Sequence, residues 1–224
     1  MTKLKGILLT EGMHGMISQV EGLAKALDIN YSHHTVETKG FWKVIPPKFT
    51  PISDSVFKKI ECEDVDLIIS CGRKSIIPSL FLKKISKKKV FNIHIQNPKI
   101  KLDNFDLVVV PEHDNLDGHN VLKTKGAIHY LTSEEIEKDK EYLFSISSKL
   151  RDKNIISLII GGPTQYYDYS DRNIQEIFSK VNYLVKENNL NLVVIPSMRT
   201  PKGTIEHAKI CLLYTSDAAD DRNC

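Results

Sequence analysis

The sequence predicts an α/β protein built on a doubly wound, mostly parallel sheet. Short apolar runs rich in β-branched residues alternate with segments of helical periodicity through most of the 224 residues, which is the pattern of repeated βα units. Several runs, such as Val108-Val109-Val110 and Ile155-Ile156, lack polar alternation and fit buried strands. An apolar fraction of 41%, with 26% charged residues and only 11 Gly and 9 Pro, excludes disordered, collagen-like and disulfide-scaffold classes. No apolar run approaches the roughly 18 residues of a membrane span, and Glu11 interrupts the first run before a secretory signal core is complete. The expected location is the cytoplasm.

Residues 4–10 read as the first strand, after which Ile17, Val20, Leu23, Ala24 and Leu27 recur at helical spacing and give one apolar face. Further strands are expected at 65–70, 90–95, 105–110 and 120–124, with helices at 53–61 and 74–85. These elements make one complete Rossmann-like domain over residues 1–132. A capped helix start follows: Thr132 or Ser133 can accept backbone N–H bonds, and Glu134 and Glu135 sit at the positive helix end. Residues 133–152 are expected to form a linker helix with a polar end at Arg151-Asp152-Lys153-Asn154. The cycle then restarts with a buried strand over 155–160, Gly161-Gly162-Pro163, a helix over 171–186, a strand over 191–195 and a turn through Pro196-Ser197-Met198-Arg199-Thr200-Pro201. Residues 153–210 are therefore read as the start of a second, truncated α/β domain.

The last residues read differently. Cys211-Leu212-Leu213-Tyr214-Thr215-Ser216-Asp217-Ala218-Ala219-Asp220-Asp221 looks like the translation of a transposase adapter used in preparing DNA sequencing libraries, and such segments are set aside from fold reasoning. On this reading residues 211–224 are an adapter-derived tail, the gene continues beyond Ile210, and the fragment is expected to have little or no activity. Without Arg222, Asp217, Asp220 and Asp221 the formal net charge rises from +3 to +5. Cys211 and Cys224 leave with the tail, while Cys62 and Cys71 have neither CxxC spacing nor a histidine cluster beside them. No metal site or disulfide framework is expected.

Open α/β sheets bind ligands at the carboxyl ends of their strands, which directs attention to five loops. Glu11-Gly12-Met13-His14-Gly15-Met16 leads into a helix whose free N–H groups could hold an anion; its Gly12-x-x-Gly15 spacing falls short of the dinucleotide fingerprint. Ser70-Cys71-Gly72-Arg73-Lys74-Ser75 places two cations and two hydroxyls around a glycine, with Arg73 and Ser75 as anion ligands. In His94-Ile95-Gln96-Asn97-Pro98, alternation puts His94 and Gln96 on one side of a strand end. Pro111-Glu112-His113-Asp114 follows a very apolar strand and offers Glu112 and His113 for acid/base work. The sharpest is Gly161-Gly162-Pro163-Thr164, where a buried strand meets two glycines and a hydroxyl, a common cradle for phosphate oxygens. Ser197, Arg199 and Thr200 on the next strand-end loop would face the same crevice, and a guanidinium there could neutralise a diphosphate. Each loop also has a plainer reading: a tight turn, a solvated helix start, a satisfied core histidine or a hydrogen-bonded loop.

Between residues 67 and 102 there is no acidic residue, while Arg73, Lys74, Lys83, Lys84, Lys87, Lys88, Lys89, Lys99 and Lys101 add positive charge. An anionic membrane surface fits this stretch, as does a solvated face. Nucleic acid is not an expected partner, because aromatic interleaving and a recognised binding motif are missing.

The motifs together resemble one family. Thr10-Glu11-Gly12-Met13-His14-Gly15-Met16 and the helix to Leu27, then Ser70 with Cys71-Gly72-Arg73-Lys74-Ser75, His94-Ile95-Gln96-Asn97-Pro98, Pro111-Glu112-His113-Asp114, Gly126-Ala127-Ile128-His129, Ile160-Gly161-Gly162-Pro163 and Pro196 through Pro201 fall in the order seen in the Elm-type mitochondrial fission family. The resemblance spans residues 4–203 and is that of a bacterial member. It implies a GT-B-like fold of two Rossmann-like domains and a nucleotide-sugar-dependent glycosyltransferase with no cofactor, the nucleotide sugar being substrate and the acceptor unknown. By that analogy Gly161 and Gly162 bind donor phosphates and the first domain holds the acceptor. Lipid-linked GT-B enzymes often carry a histidine after the first-loop glycines; Met16 stands near that place here and His14 two residues before it. A non-catalytic adaptor on the same scaffold is the competing reading. A nucleotide-sugar epimerase is a third, set back by the absent dinucleotide fingerprint and the absent Tyr-x-x-x-Lys pair.

Overall fold

Apolar runs without polar alternation need cover on both faces, and in the N-terminal part of the chain they obtain it. The computed structural model describes residues 3–61, 64–164, 166–167 and 169–212, with the backbone of Ser216–Asp217. It divides into two compact units, Met1–Leu131 and Thr132–Cys224.

The first unit contains β1 (Lys5–Thr10), α1 (His14–Ala26), β2 (Asn30–Thr35), β3 (Leu67–Cys71), α2 (Ile76–Ile85), β4 (Phe91–Ile95), β5 (Leu107–Pro111) and β6 (Val121–Thr124). The six strands form one sheet in the order β2-β1-β3-β4-β5-β6, every pairing parallel. Successive side chains of a strand go to opposite faces, and the two cores follow this rule. Ile7 and Leu9 pack with Ile76 and Leu80 of α2 and with Phe57, while Leu8 packs with Val20 and Ala24 of α1. The two helices therefore cover opposite faces, giving the helix-flanked parallel sheet of a Rossmann-like fold.

Two elements differ from the sequence expectation. Residues 53–61 do not form a helix; a 3-10 turn at Asp54–Val56 is all that forms, with the Ser53 side chain accepting from the Ser55 N–H. The cause is a competing pairing. Thr38 and Phe57 make an antiparallel bridge, flanked by Lys39 N–H to the Val56 carbonyl and Lys58 N–H to the Glu37 carbonyl, both at 2.8 Å. This draws Val56, the last residue of the turn, and the extended Phe57 into the core. The other difference is β2, an edge strand of sequence Asn-Tyr-Ser-His-His-Thr with no buried residue; it is held by its parallel register with β1 from Lys5–Asn30 to Thr10–Thr35.

The second unit opens with α3 (Ser133–Ile146), whose start is a complete capping box: Thr132 Oγ1 accepts from the Glu135 N–H, and Glu135 accepts from the Thr132 N–H. A 3-10 turn at Ser148–Arg151 follows. Then come β7 (Ile155–Ile160), α4 (Asp171–Glu187), β8 (Asn191–Pro196), α5 (Lys202–Cys211) and the two-residue β9 (Ser216–Asp217), the strands forming a parallel β7-β8-β9 sheet. Its core joins Ile160, Leu192 and Val194 to Ile174 and Phe178 of α4 and to Ala208 of α5.

The expected fully buried strand is corrected here. Ile156 and Leu158 face the core, but Ile155 and Ile159 lie on the other face, with Ile159 73% exposed. The described residues cover this sheet on one side. Helix α5 was not expected from the sequence; Ile205, Ala208 and Leu212 give it a spaced apolar edge, and Leu212 is buried. The adapter-like stretch thus begins within the last turn of α5, where a leucine fills the core position whatever its origin. Cys62 and residues 213–215 and 218–224 lie outside the described residues. No described helix is long and apolar enough to cross a membrane.

Candidate functional site

The strand order of the first unit reverses direction between β1 and β3, whose following helices pack on opposite faces. This is the switch point at which open α/β sheets take ligands. Its two loops are filled by their own side chains. Glu11 leaves β1 with its side chain only 16% exposed, pairs with Lys74 Nζ at 3.1 Å and accepts the Lys74 backbone N–H at 3.0 Å. Gly72, at φ +92°, brings the backbone so close that a Cβ would lie 2.7 Å from Met16 Sδ and 3.0 Å from Glu11 Oε1. Ser75 is buried and donates to the Gly72 carbonyl at 2.7 Å. Arg73 is turned away from the crevice and donates to the Lys43 carbonyl at 2.8 Å. Gly12, His14 and Gly15 are exposed at the start of α1, which has neither a side-chain cap nor an acidic residue in its first turn.

The carboxylate of Glu11 thus stands at the mouth that a phosphate would enter, satisfying the start of the second helical segment in a phosphate's place. Thr10 and His33 close the floor: Thr10 Oγ1 lies 2.8 Å from His33 Nε2 and accepts the Gly12 N–H at 3.1 Å. Burial holds the His33 imidazole below its ordinary pKa.

The neighbouring loops are organised differently. His94 is 1% exposed, hydrogen-bonded from Nδ1 to Ser70 Oγ at 2.9 Å and stacked on Phe105 at 5.0 Å between centroids. Burial lowers its pKa to about 3, so it is a neutral core group near pH 7. Gln96 takes a left-handed conformation, φ +86°, and its N–H donates to the Val109 carbonyl. Glu112 and His113 lie in an exposed 3-10 turn, and His113 Nε2 is 3.7 Å from Asp114. Cys71 is buried, which pushes its thiol up to about 12 and removes it as a nucleophile. No group of three potential metal-ligating side chains converges among the described residues.

In the second unit the ends of β7 and β8 are pinned together. Thr200 is buried; its hydroxyl lies 2.6 Å from the Ile160 carbonyl and 3.0 Å from that of Gly161, and accepts the Ser197 N–H at 2.9 Å. Ser197 Oγ in turn accepts the Arg199 N–H at 3.3 Å. Ser197 and Thr200 therefore serve the loop itself. Tyr169, which the sequence reading did not single out, donates its hydroxyl to the Gly161 carbonyl at 2.8 Å, and Thr164 bridges to Tyr167.

The outcome is a narrow approach of two backbones. A Cβ on Gly162 would sit 2.4 Å from the Arg199 carbonyl oxygen and 2.6 Å from its Cβ, whereas a Cβ on Gly161 would meet nothing within 4 Å. The N–H groups of Gly161 and Gly162 have no hydrogen-bond partner among the described residues, and the Arg199 side chain is exposed beside them. Of the residues named from the sequence, Gly161, Gly162, Ser197, Arg199 and Thr200 come together. His14, Glu112 and His113 do not meet one another.

Three of the nine cations in the acid-free stretch from 67 to 102 form ion pairs with carboxylates from outside it. Lys74 pairs with Glu11, Lys83 with Asp106 at 2.6 Å and Lys88 with Asp66 at 2.8 Å.

The family model described as "Mitochondrial fission ELM1" matches residues 14–212, running through both units. The mitochondrial fission protein ELM1 of Arabidopsis thaliana is 35% identical over 48 residues, which cover 21% of this chain and 11% of that relative. The matched part is thus about a tenth of the relative's length. No solved structure matches. On the extent of the first match, the chain belongs to the mitochondrial fission ELM1 family.

Proposed function

We propose that the chain carries the nucleotide-binding half-site of a GT-B-like, nucleotide-sugar-dependent glycosyltransferase acting in the cytoplasm. The observation that supports it is the opening at Gly161 and Gly162, where two backbone N–H groups without a partner among the described residues lie next to the backbone and Cβ of the exposed Arg199. Backbone N–H groups and a guanidinium suit the oxygens of a diphosphate, and their fixed positions cost no reorganisation as negative charge develops. In the reaction an acceptor oxygen bonds to the sugar's anomeric carbon, the bond from that carbon to the diphosphate breaks, and the diphosphate leaves with the electron pair. The acceptor's proton goes to a base, for which His14, Glu112 and His113 are the candidates. Neither a cofactor nor a metal is invoked.

Titration with nucleoside diphosphates and their sugars tests this reading. Gly161→Asp is the discriminating variant, because its side chain enters open space and sets a negative charge where the diphosphate would lie. Loss of binding without loss of folding supports the site; unchanged binding overturns it.

A non-catalytic adaptor is the second reading. It is favoured by the exposure of Glu112 and His113, by the ion pair that occupies Glu11, and by the mitochondrial fission named in the family and its Arabidopsis relative. A protein that binds no nucleotide but retains partners when Gly161 and Arg199 are replaced would have this role.

A further inference from the structure

We propose that residues 39–52 are a membrane-docking loop that inserts Phe41, Val44 and Phe49 into a bilayer containing anionic phospholipid. Three large apolar side chains within nine residues stand in solvent: Phe41 is 65% exposed, Val44 73% and Phe49 71%. Lone exposed apolar residues are ordinary, but a cluster of this kind marks a contact surface.

The loop is preformed. Its ends are closed by the Thr38–Phe57 bridge and the Lys39–Val56 hydrogen bond, in the manner of an Ω-loop. Its path is set by 3-10 turns at Gly40–Lys43 and Pro47–Phe49 and by Pro46, Pro47 and Pro51. Trp42 packs against the core of the first unit, and Phe41 lies against it with ring centroids 4.3 Å apart. The rings are therefore presented outward on a fixed base, so little ordering entropy is lost on insertion.

Charge selects the partner. From residue 38 to 53 there is no acidic side chain, while Lys39, Lys43 and Lys48 alternate with the apolar positions. Glu37, at the base, is held by Lys58 at 2.6 Å. An open groove of about 570 Å³ adjoins the loop and brings Lys99 and Lys101 beside Lys48 and Ile52. None of Lys48, Lys99 and Lys101 forms an ion pair among the described residues, and Lys43 acts on Glu37 only at longer range. Apolar rings interleaved with lysines, with no carboxylate between them, match the acyl boundary and the anionic headgroups of a bilayer. This surface is distinct from the glycine loop of the second unit and does not depend on nucleotide binding.

Flotation of the full chain with vesicles tests it, comparing phosphatidylcholine alone with phosphatidylcholine containing about 30% phosphatidylglycerol. Binding is expected to the charged vesicles and to be weak on the neutral ones. Phe41→Ser with Phe49→Ser should lower the partition coefficient at least tenfold, and Lys48→Glu with Lys101→Glu by roughly the same or more. Trp42 is the sole tryptophan, so in the unmodified protein its emission should shift to the blue and become shielded from an aqueous quencher when charged vesicles are added. No flotation with charged vesicles, flotation indifferent to lipid charge, or flotation that survives the double phenylalanine change would each overturn the proposal. The first result, with an unchanged Trp42 spectrum, would leave the exposed rings to a protein partner.

Discussion

Two strand-end openings, one in each unit, have similar ingredients and opposite electrostatics. At the β1–β3 switch point a glycine-bearing loop meets the start of a helical segment, but the Glu11 carboxylate occupies that start and pairs with Lys74. At the end of β7 the Thr200 hydroxyl is spent holding two loops together and the Ser197 hydroxyl bonds within its own loop, and the Gly161 and Gly162 N–H groups and Arg199 have no carboxylate partner among the described residues. Glycines and cations near a strand end are therefore not sufficient for an anion site. What matters is whether the chain has already supplied its own anion.

The largest effect separates the two glycines of the open loop. Gly162→Val drives a side chain into the Arg199 backbone and is expected to cost about 3 kcal/mol in unfolding free energy, whereas Gly161→Ala should stay within about 0.5 kcal/mol. Chemical denaturation measures both, and equal costs would remove the close approach from the account. Acid should next distinguish the units. His94, whose pKa falls to about 3 on burial, binds its proton in the unfolded chain near pH 6.5 but not in the folded one. The first unit then loses stability as pH falls from 6.5 towards 3, about 2 kcal/mol by pH 5. The second unit has one histidine, the half-buried His207, and should lack this loss. Replacing His94 by Gln should flatten the acid limb of the denaturation curve; an unaltered slope would assign the effect elsewhere.

Arg199→Ala should weaken nucleoside diphosphate binding about tenfold, the value of one charge-assisted contact, with little change in melting temperature. The smallest expected effect is on the closed opening. Glu11→Gln should cost about 1 kcal/mol or less by removing the charge of the Lys74 pair, while its amide oxygen can still accept the Lys74 N–H. It should also bring weak phosphate affinity to the first unit; a variant that gains none would show that Glu11 is not what closes it.

Most of the fold was legible because its strands are apolar runs: β3, β4 and β5 contain few polar residues, and a parallel sheet demands that pattern. Strand β2 was not legible, since an edge strand held by backbone pairing needs no apolar alternation, and Asn30 through Thr35 has none. The expected helix at 53–61 had adequate spacing, but a tertiary pairing with Thr38 outcompeted local preference. At the candidate sites residue type was readable and role was not. Ser75, Ser197 and Thr200 were readable as hydroxyls near strand ends, but the bonds they make within the chain were not: Ser75 turns back to the Gly72 carbonyl, Ser197 bonds inside its own loop, and Thr200 reaches the Ile160 carbonyl on the neighbouring strand. Glu11 stood in plain view as the residue after β1, yet its partner Lys74 lies 63 positions away. The exposed Phe41 and Phe49 carried a signal in the Lys-interleaved, acid-free segment that contains them, overshadowed by the longer basic stretch after residue 67.

Hydrogen exchange with and without saturating nucleoside diphosphates of uridine, guanosine, adenosine and cytidine tests the central comparison most directly, because it reads both openings in one sample. Protection is expected at Gly161, Gly162 and Arg199 with at least one of these ligands, and none at residues 11–15 and 72–75. Protection confined to the first unit, or absent from both with every ligand, would contradict the account.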